Sequence, residues 1–144
     1  MSYVLYALIG KRQTLEAVAL PFPTARIVPL EQNIAIIPLT DELCEDMGAS
    51  SEIENLYKLS PELEEWALRI SKAGLVAYIE AEFFGGSGNQ SALGWNGVSR
   101  MLGPVYEPKA INRVLKLLGV NKGNAHDEFE AVGLRKHRDT HDWK

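Results

Sequence analysis

The spacing of apolar residues changes several times along this chain, and each change marks an element. Tyr3 to Ile9 is apolar at every position, which predicts an inner strand covered on both faces. Gln13 to Leu20 suits a short helix that Pro21 and Pro23 close. Arg26 to Leu30 and Ile34 to Leu39 read as two short strands joined tightly through Glu31, Gln32 and Asn33. Pro29 and Pro38 donate no backbone hydrogen bond, so they belong at strand ends or on a sheet edge. Thr40 caps a helix running through Met47, with Asp41 and Glu42 in its first turn, where negative charge is favoured. Residues 48–51 form a loop. Ser60 and Pro61 then open the clearest helix, a hydroxyl cap followed by proline at the first helical position. Its buried stripe is Leu59, Leu63, Trp66, Ala67 and Ile70, and Gly74 supplies the left-handed stop.

From Leu75 to Phe84 the period becomes two. Leu75, Ala77, Ile79, Ala81 and Phe83 form a dry face; Val76, Tyr78, Glu80, Glu82 and Phe84 form a mixed one. Gly85 to Gln90 reads as a flexible connection, Ser91 to Trp95 as a second strand, and Val98 to Leu102 as its return after the hairpin pair Asn96-Gly97. Leu75 to Leu102 is thus a three-stranded antiparallel meander. Pro108 starts a helix with Ile111, Val114, Leu115 and Leu118 on one face and Gly119 at its end. Glu128 to Leu134 reads as a final strand. Arg135 to Lys144 is a polar tail, apart from Trp143, which is expected to dock. The order predicts a single compact α+β domain over 1–144, a mostly antiparallel sheet with about four helices packed on it.

Composition narrows the class. At 144 residues, with 46% hydrophobic and 24% charged residues, the chain builds a core unaided and is not disordered. The single cysteine, Cys44, excludes an intramolecular disulfide and a Cys-x-x-Cys pair, and its acidic neighbours should raise its pKa. The apolar run Tyr3 to Ile9 is far short of the roughly 20 residues that span a bilayer. Lys11 and Arg12 follow that run rather than precede it, so no secretory leader and a cytoplasmic location are expected. From Asp41 to Glu65, nine acids face one base, Lys58, a net of −8; from Lys109 to Lys144, eight bases face five acids, a net of +3. The overall charge of −4 argues against a nucleic-acid binder, and the acidic stretch would suit a basic protein partner.

The candidate chemistry is sparse. Gly86, Gly88 and the residues around them nearly match a dinucleotide fingerprint, but Gly94, Asn96 and Gly97 follow where that motif requires a helix. Exposed backbone amides in the 85–90 loop could instead receive a partner or an anion. Glu80 and Glu82 share a strand face, roughly 7 Å apart at the backbone. That separation would serve acid–base work or a hard cation only with burial and further ligands. His137, Asp139 and His141 have metal-ligand spacing, but Arg135, Lys136 and Arg138 crowd them, so no metal or other cofactor is expected. No oriented nucleophile accompanies Ser87, Ser91, Cys44, or the neighbours His126 and Asp127.

The block from Ala77 to Ser91, the helix from Ala110 to Val120, and Asp127 to Gly133 followed by His137, Arg138 and Asp139 carry a resemblance. Over residues 75–143 the chain resembles a group of small, mostly uncharacterised bacterial cytosolic proteins, some of immunity type. That resemblance implies an accessory or inhibitor partner of a secreted toxin and assigns no catalytic residue. The expectation is therefore a small cytosolic protein-binding module without catalysis of its own. Its partner surface would involve Glu80, Glu82, Gly85, Gly86, Gly88, Asn89 and Gln90. The alternative is a small metal-dependent or carboxylate-based hydrolase using Glu80, Glu82 and the histidines near residue 140. A homodimer joined at a sheet edge is a further expectation.

Overall fold

The computed structural model describes residues 2–85 and 87–144. In chain order the elements are β1 (Ser2–Lys11), α1 (Arg12–Glu16), β2 (Val28–Pro29), β3 (Ile34–Pro38), α2 (Asp41–Met47), α3 (Pro61–Ile70), β4 (Val76–Phe84), β5 (Ser87–Asn96), β6 (Ser99–Tyr106), α4 (Ala110–Leu117) and α5 (Glu128–Ala131), followed by a 3-10 turn at Thr140–Asp142. The strands form one six-stranded sheet in the order β2-β3-β1-β4-β5-β6. Every pairing between these strands is antiparallel. The fold is α+β, a single compact domain.

The all-apolar run in β1 is central, and both of its faces are dry. One face carries Leu5, Ala7 and Ile9 and packs with Ala77, Ile79 and Ala81 beneath Ile111, Val114 and Leu115 of α4 and Phe129 of α5. The other carries Tyr6 and Leu8 and packs with Val76 and Tyr78 beneath Leu43 of α2 and Leu63, Trp66 and Ile70 of α3. Helices therefore cover both faces, as a sheet whose inner strand is apolar on both sides demands. The caps read from sequence are present: Leu43 N–H donates to Thr40 Oγ1 (3.2 Å) and Leu63 N–H to Ser60 Oγ (3.2 Å). This arrangement also sorts the charge. The acidic 41–65 stretch lies on the α2/α3 side, and α4 and α5, from the basic part of the chain, lie on the other.

Several boundaries differ from the sequence reading. Glu128 to Leu134 is not a strand. Asp127 Oδ1 accepts the Glu130 N–H (2.9 Å) and Glu130 Oε2 accepts the His126 N–H (2.7 Å), so a reciprocal cap starts a short helix. Residues 87–90 are not loop but the start of β5, paired with Ala81 to Phe84. Gly88 is there because the Phe83 ring lies across it; a Cβ at Gly88 would fall 1.8 Å from Phe83 Cδ1. In the next hairpin Asn96 pairs with Ser99, so the turn residues are Gly97 and Val98, one step later than expected. The 135–144 segment is not a loose tail. Trp143 is buried in the α4/α5 core and Thr140 is buried against β1.

Candidate functional site

Glu80 and Glu82 lie on the α2/α3 face of β4, where among the described residues neither helix supplies them a hydrogen-bond partner. The loop through Leu56 and Leu59, whose side chains are buried, brings Tyr57 and Lys58 over them instead. Lys58 N–H donates to Tyr78 Oη (3.0 Å), Tyr78 O–H donates to Glu80 Oε1 (2.6 Å), and Tyr57 N–H donates to the same oxygen (2.8 Å). Glu80 is thus a half-buried staple between the sheet and the loop rather than a solvent-facing charge. Burial pushes its carboxyl above the usual range, more than its two donors pull it down. Glu82 accepts a hydrogen bond from the Tyr6 hydroxyl, and the Tyr57 ring stacks on Tyr6 at 5.2 Å between centroids. Burial also raises the phenols of Tyr6 and Tyr78, so both remain protonated donors.

Around these held carboxylates stand three exposed aromatic rings: Tyr57 (56% exposed), Phe84 (56%) and Tyr106 (54%). Phe84 follows Glu82 on the same face, and Tyr106 reaches that face through its pairing with Ser91, the partner of Glu80. The Tyr106 hydroxyl donates to the Glu54 carbonyl. A groove of about 360 Å³ runs between Tyr6, Tyr57, Glu82, Phe84, Asp41 and His141. A second, about 390 Å³, opens between Glu80, Asn89 and Tyr106. Arg100 bridges Glu64 (2.6 Å) and Glu54 (2.9 Å), and its hydrogen bond holds the Glu64 carboxyl below the usual range. Lys58 Nζ pairs with Asp41 (2.6 Å), lowering that carboxyl too.

The sequence-derived site divides between the two faces. Asn89 pairs with Glu82 and shares its side of the sheet; Gly85 is exposed at the turn, with φ +59°. Gly88 pairs with Phe83 and Gln90 with Ala81, so both belong to the opposite face, and Gln90 is 7% exposed. Gly86 lies outside the described residues. The histidines diverge. The His137 ring packs edge-on against Trp143 (4.7 Å), while His141 Nδ1 lies 3.1 Å from Asp139 and its Nε2 lies 3.8 Å from Asp41. Among the described residues neither histidine bonds Glu80 or Glu82, and no three metal-ligating side chains converge. The Cys44 thiol is raised as expected, but chiefly by burial, with Asp41 adding to it. Sequence reasoning missed Tyr6, Tyr57 and Tyr106. Their only signal is the presence of tyrosine inside otherwise acidic or strand segments.

Compared with known proteins, the chain matches no protein-family model, no curated protein and no solved structure. The fold and the site define its class: an antiparallel α+β protein whose one face is acidic and edged with exposed tyrosine and phenylalanine.

Proposed function

We propose that this protein is a protein-binding module that receives a basic partner on its tyrosine-edged acidic face and performs no chemistry of its own. The observation that carries the reading is the ring of Tyr57, Phe84 and Tyr106 around Glu80 and Glu82. Exposed aromatics on a firm base are the usual anchors of an interface, and a charged surround steers the partner. The glutamates contribute by holding that base. Their bonds to Tyr78, Tyr6 and the Tyr57 backbone fix the loop before contact, which reduces the ordering cost of binding. The acidic 41–65 stretch beside them supplies the attraction. The finer reading is an immunity-type inhibitor of a toxin in the bacterial cytosol, which the resemblance of residues 75–143 supports.

Tagged wild-type chain and a Tyr57→Ala, Phe84→Ser variant serve as baits in extract of the source cells, with retained proteins measured afterwards by calorimetry. A basic protein bound by wild type should bind the variant about a hundredfold more weakly, as loss of two anchors implies. Its association should slow as salt rises. Lys116→Glu, on the opposite face, should leave binding unchanged. Equal retention by both baits, or tighter binding at high salt, overturns the reading.

A further inference from the structure

The α4/α5 face carries a separate cleft of about 440 Å³ that the protein-binding reading does not use. Three rings wall it: Tyr3 lies 6.1 Å from Phe83 and 5.5 Å from Phe129, centroid to centroid. Gln90 lies at its base, more than nine-tenths buried. The Gln90 Oε1 accepts the Ile111 N–H (2.9 Å), which fixes the amide's orientation. Its Nε2 donates to nothing among the described residues, yet it is not sealed off, as the orphaned indole nitrogens of Trp66 and Trp143 are. Arg135 stands at the rim, exposed and in no ion pair among the described residues, with Arg138 beside it. Among the described residues Asp127 is the one carboxylate in the lining; its Oδ1 accepts from Glu130 N–H and its Oδ2 from the Asn112 amide (3.2 Å), and its charge is outnumbered by Arg135 and Arg138.

The cleft therefore offers flat apolar walls, a guanidinium, and an amide donor that is unused among the described residues, and its arginines outnumber its carboxylate. We propose that it binds a small carboxylate with a flat aromatic body. A carboxylate matches the fork of an arginine and takes a further in-plane N–H. Stacking against Phe83 and Phe129 accounts for the body, and the volume suits one or two fused rings.

The test is a titration of the full ¹⁵N-labelled chain with 2-naphthoate, followed at the Gln90 side-chain amide by NMR. The neutral isostere 2-naphthol is the control. Naphthoate should shift that amide saturably and bind at least about tenfold more tightly than naphthol. Arg135→Gln, a change at an exposed residue, should weaken naphthoate about tenfold and leave naphthol unaffected. Any one of three results overturns the proposal: no saturable shift at Gln90, equal affinity for acid and alcohol, or naphthoate affinity unchanged by Arg135→Gln. Failure here leaves partner capture by Tyr57 and Phe84 untouched, since the two sites lie on opposite faces.

Discussion

Glu80 shows how one residue changes role once the chain folds. Alternation along β4 correctly puts it on the mixed face, and an exposed carboxylate is what that position suggests. The loop bearing Tyr57 then folds over it, and two donors converge on one oxygen. Burial penalises the charged form of this carboxylate, which is why its pKa rises. Since the folded pKa lies above the unfolded value, the native state binds the extra proton. This contribution to stability is therefore fully favourable below the unfolded value of 4.5 and is lost as pH rises through the folded one. Glu80→Gln keeps an oxygen for both donors and removes the buried charge. Its urea midpoint should equal or exceed that of wild type at neutral pH, and the advantage should vanish in acid. An advantage that grows as pH falls would show that the charge itself stabilises the loop.

At the level of elements, the hairpin from β5 to β6 turns on Gly97 (φ +60°) and Val98 (φ +65°), a pair in the mirror-image turn that hairpins prefer. A β-branched side chain is strained there. What holds the turn is Ser71, at the end of α3: its carbonyl accepts Gly97 N–H and its hydroxyl accepts Val98 N–H, both at 2.9 Å. The Asn96-Gly97 signal therefore located the hairpin but placed its turn one residue early. Val98 is half-exposed, so little packing is lost on replacement. Val98→Asn should raise unfolding free energy by about 1 kcal/mol, measured from the denaturant midpoint. A loss of stability would mean that the valine methyls carry contacts outweighing the strain. The same scale explains the misread 128–134 segment. Phe129, Ala131 and Leu134 mix two spacings, and over so few residues the cap at Asp127 decides for helix.

Across the whole molecule, the segment 135–144 completes the sheet. β3 pairs with β1 only as far as Ala7 and Pro38. Beyond that point Val4 N–H donates to the Arg138 carbonyl (2.8 Å), Tyr6 N–H to Thr140 Oγ1 (3.1 Å), and Thr140 O–H to the Val4 carbonyl (3.2 Å). The segment occupies the slot that β3 leaves empty, and Trp143 plugs the core beside it. Deleting 135–144 should cost at least about 3 kcal/mol, the scale of losing one large buried aromatic, and should open the β1 edge to exchange. Deleting Lys144 alone should cost nothing measurable. Amide exchange at Val4 and Tyr6 reads this directly: protection that survives the larger deletion would mean that the segment merely rests on the surface. The sheet's outer edges are short or interrupted. β2 has two residues, one of them Pro29, and β6 carries register shifts and Pro104. Both features work against strand-to-strand pairing between copies.

Local pattern was enough to define the inner strand, the alternating faces of β4, the caps at Thr40 and Ser60, and the charge asymmetry along the chain. Each of these depends on residues a few positions apart, whose energies do not wait for the rest of the fold. Tertiary structure alone decided that Glu80 is covered by Tyr57, that Tyr106 stands beside it, that Gln90 faces the other way with an unused donor, and that Arg138 and Thr140 extend the sheet. Those relations join residues from 21 to 136 positions apart, and solvent exposure at such distances is set by what packs above a residue rather than by its neighbours in sequence.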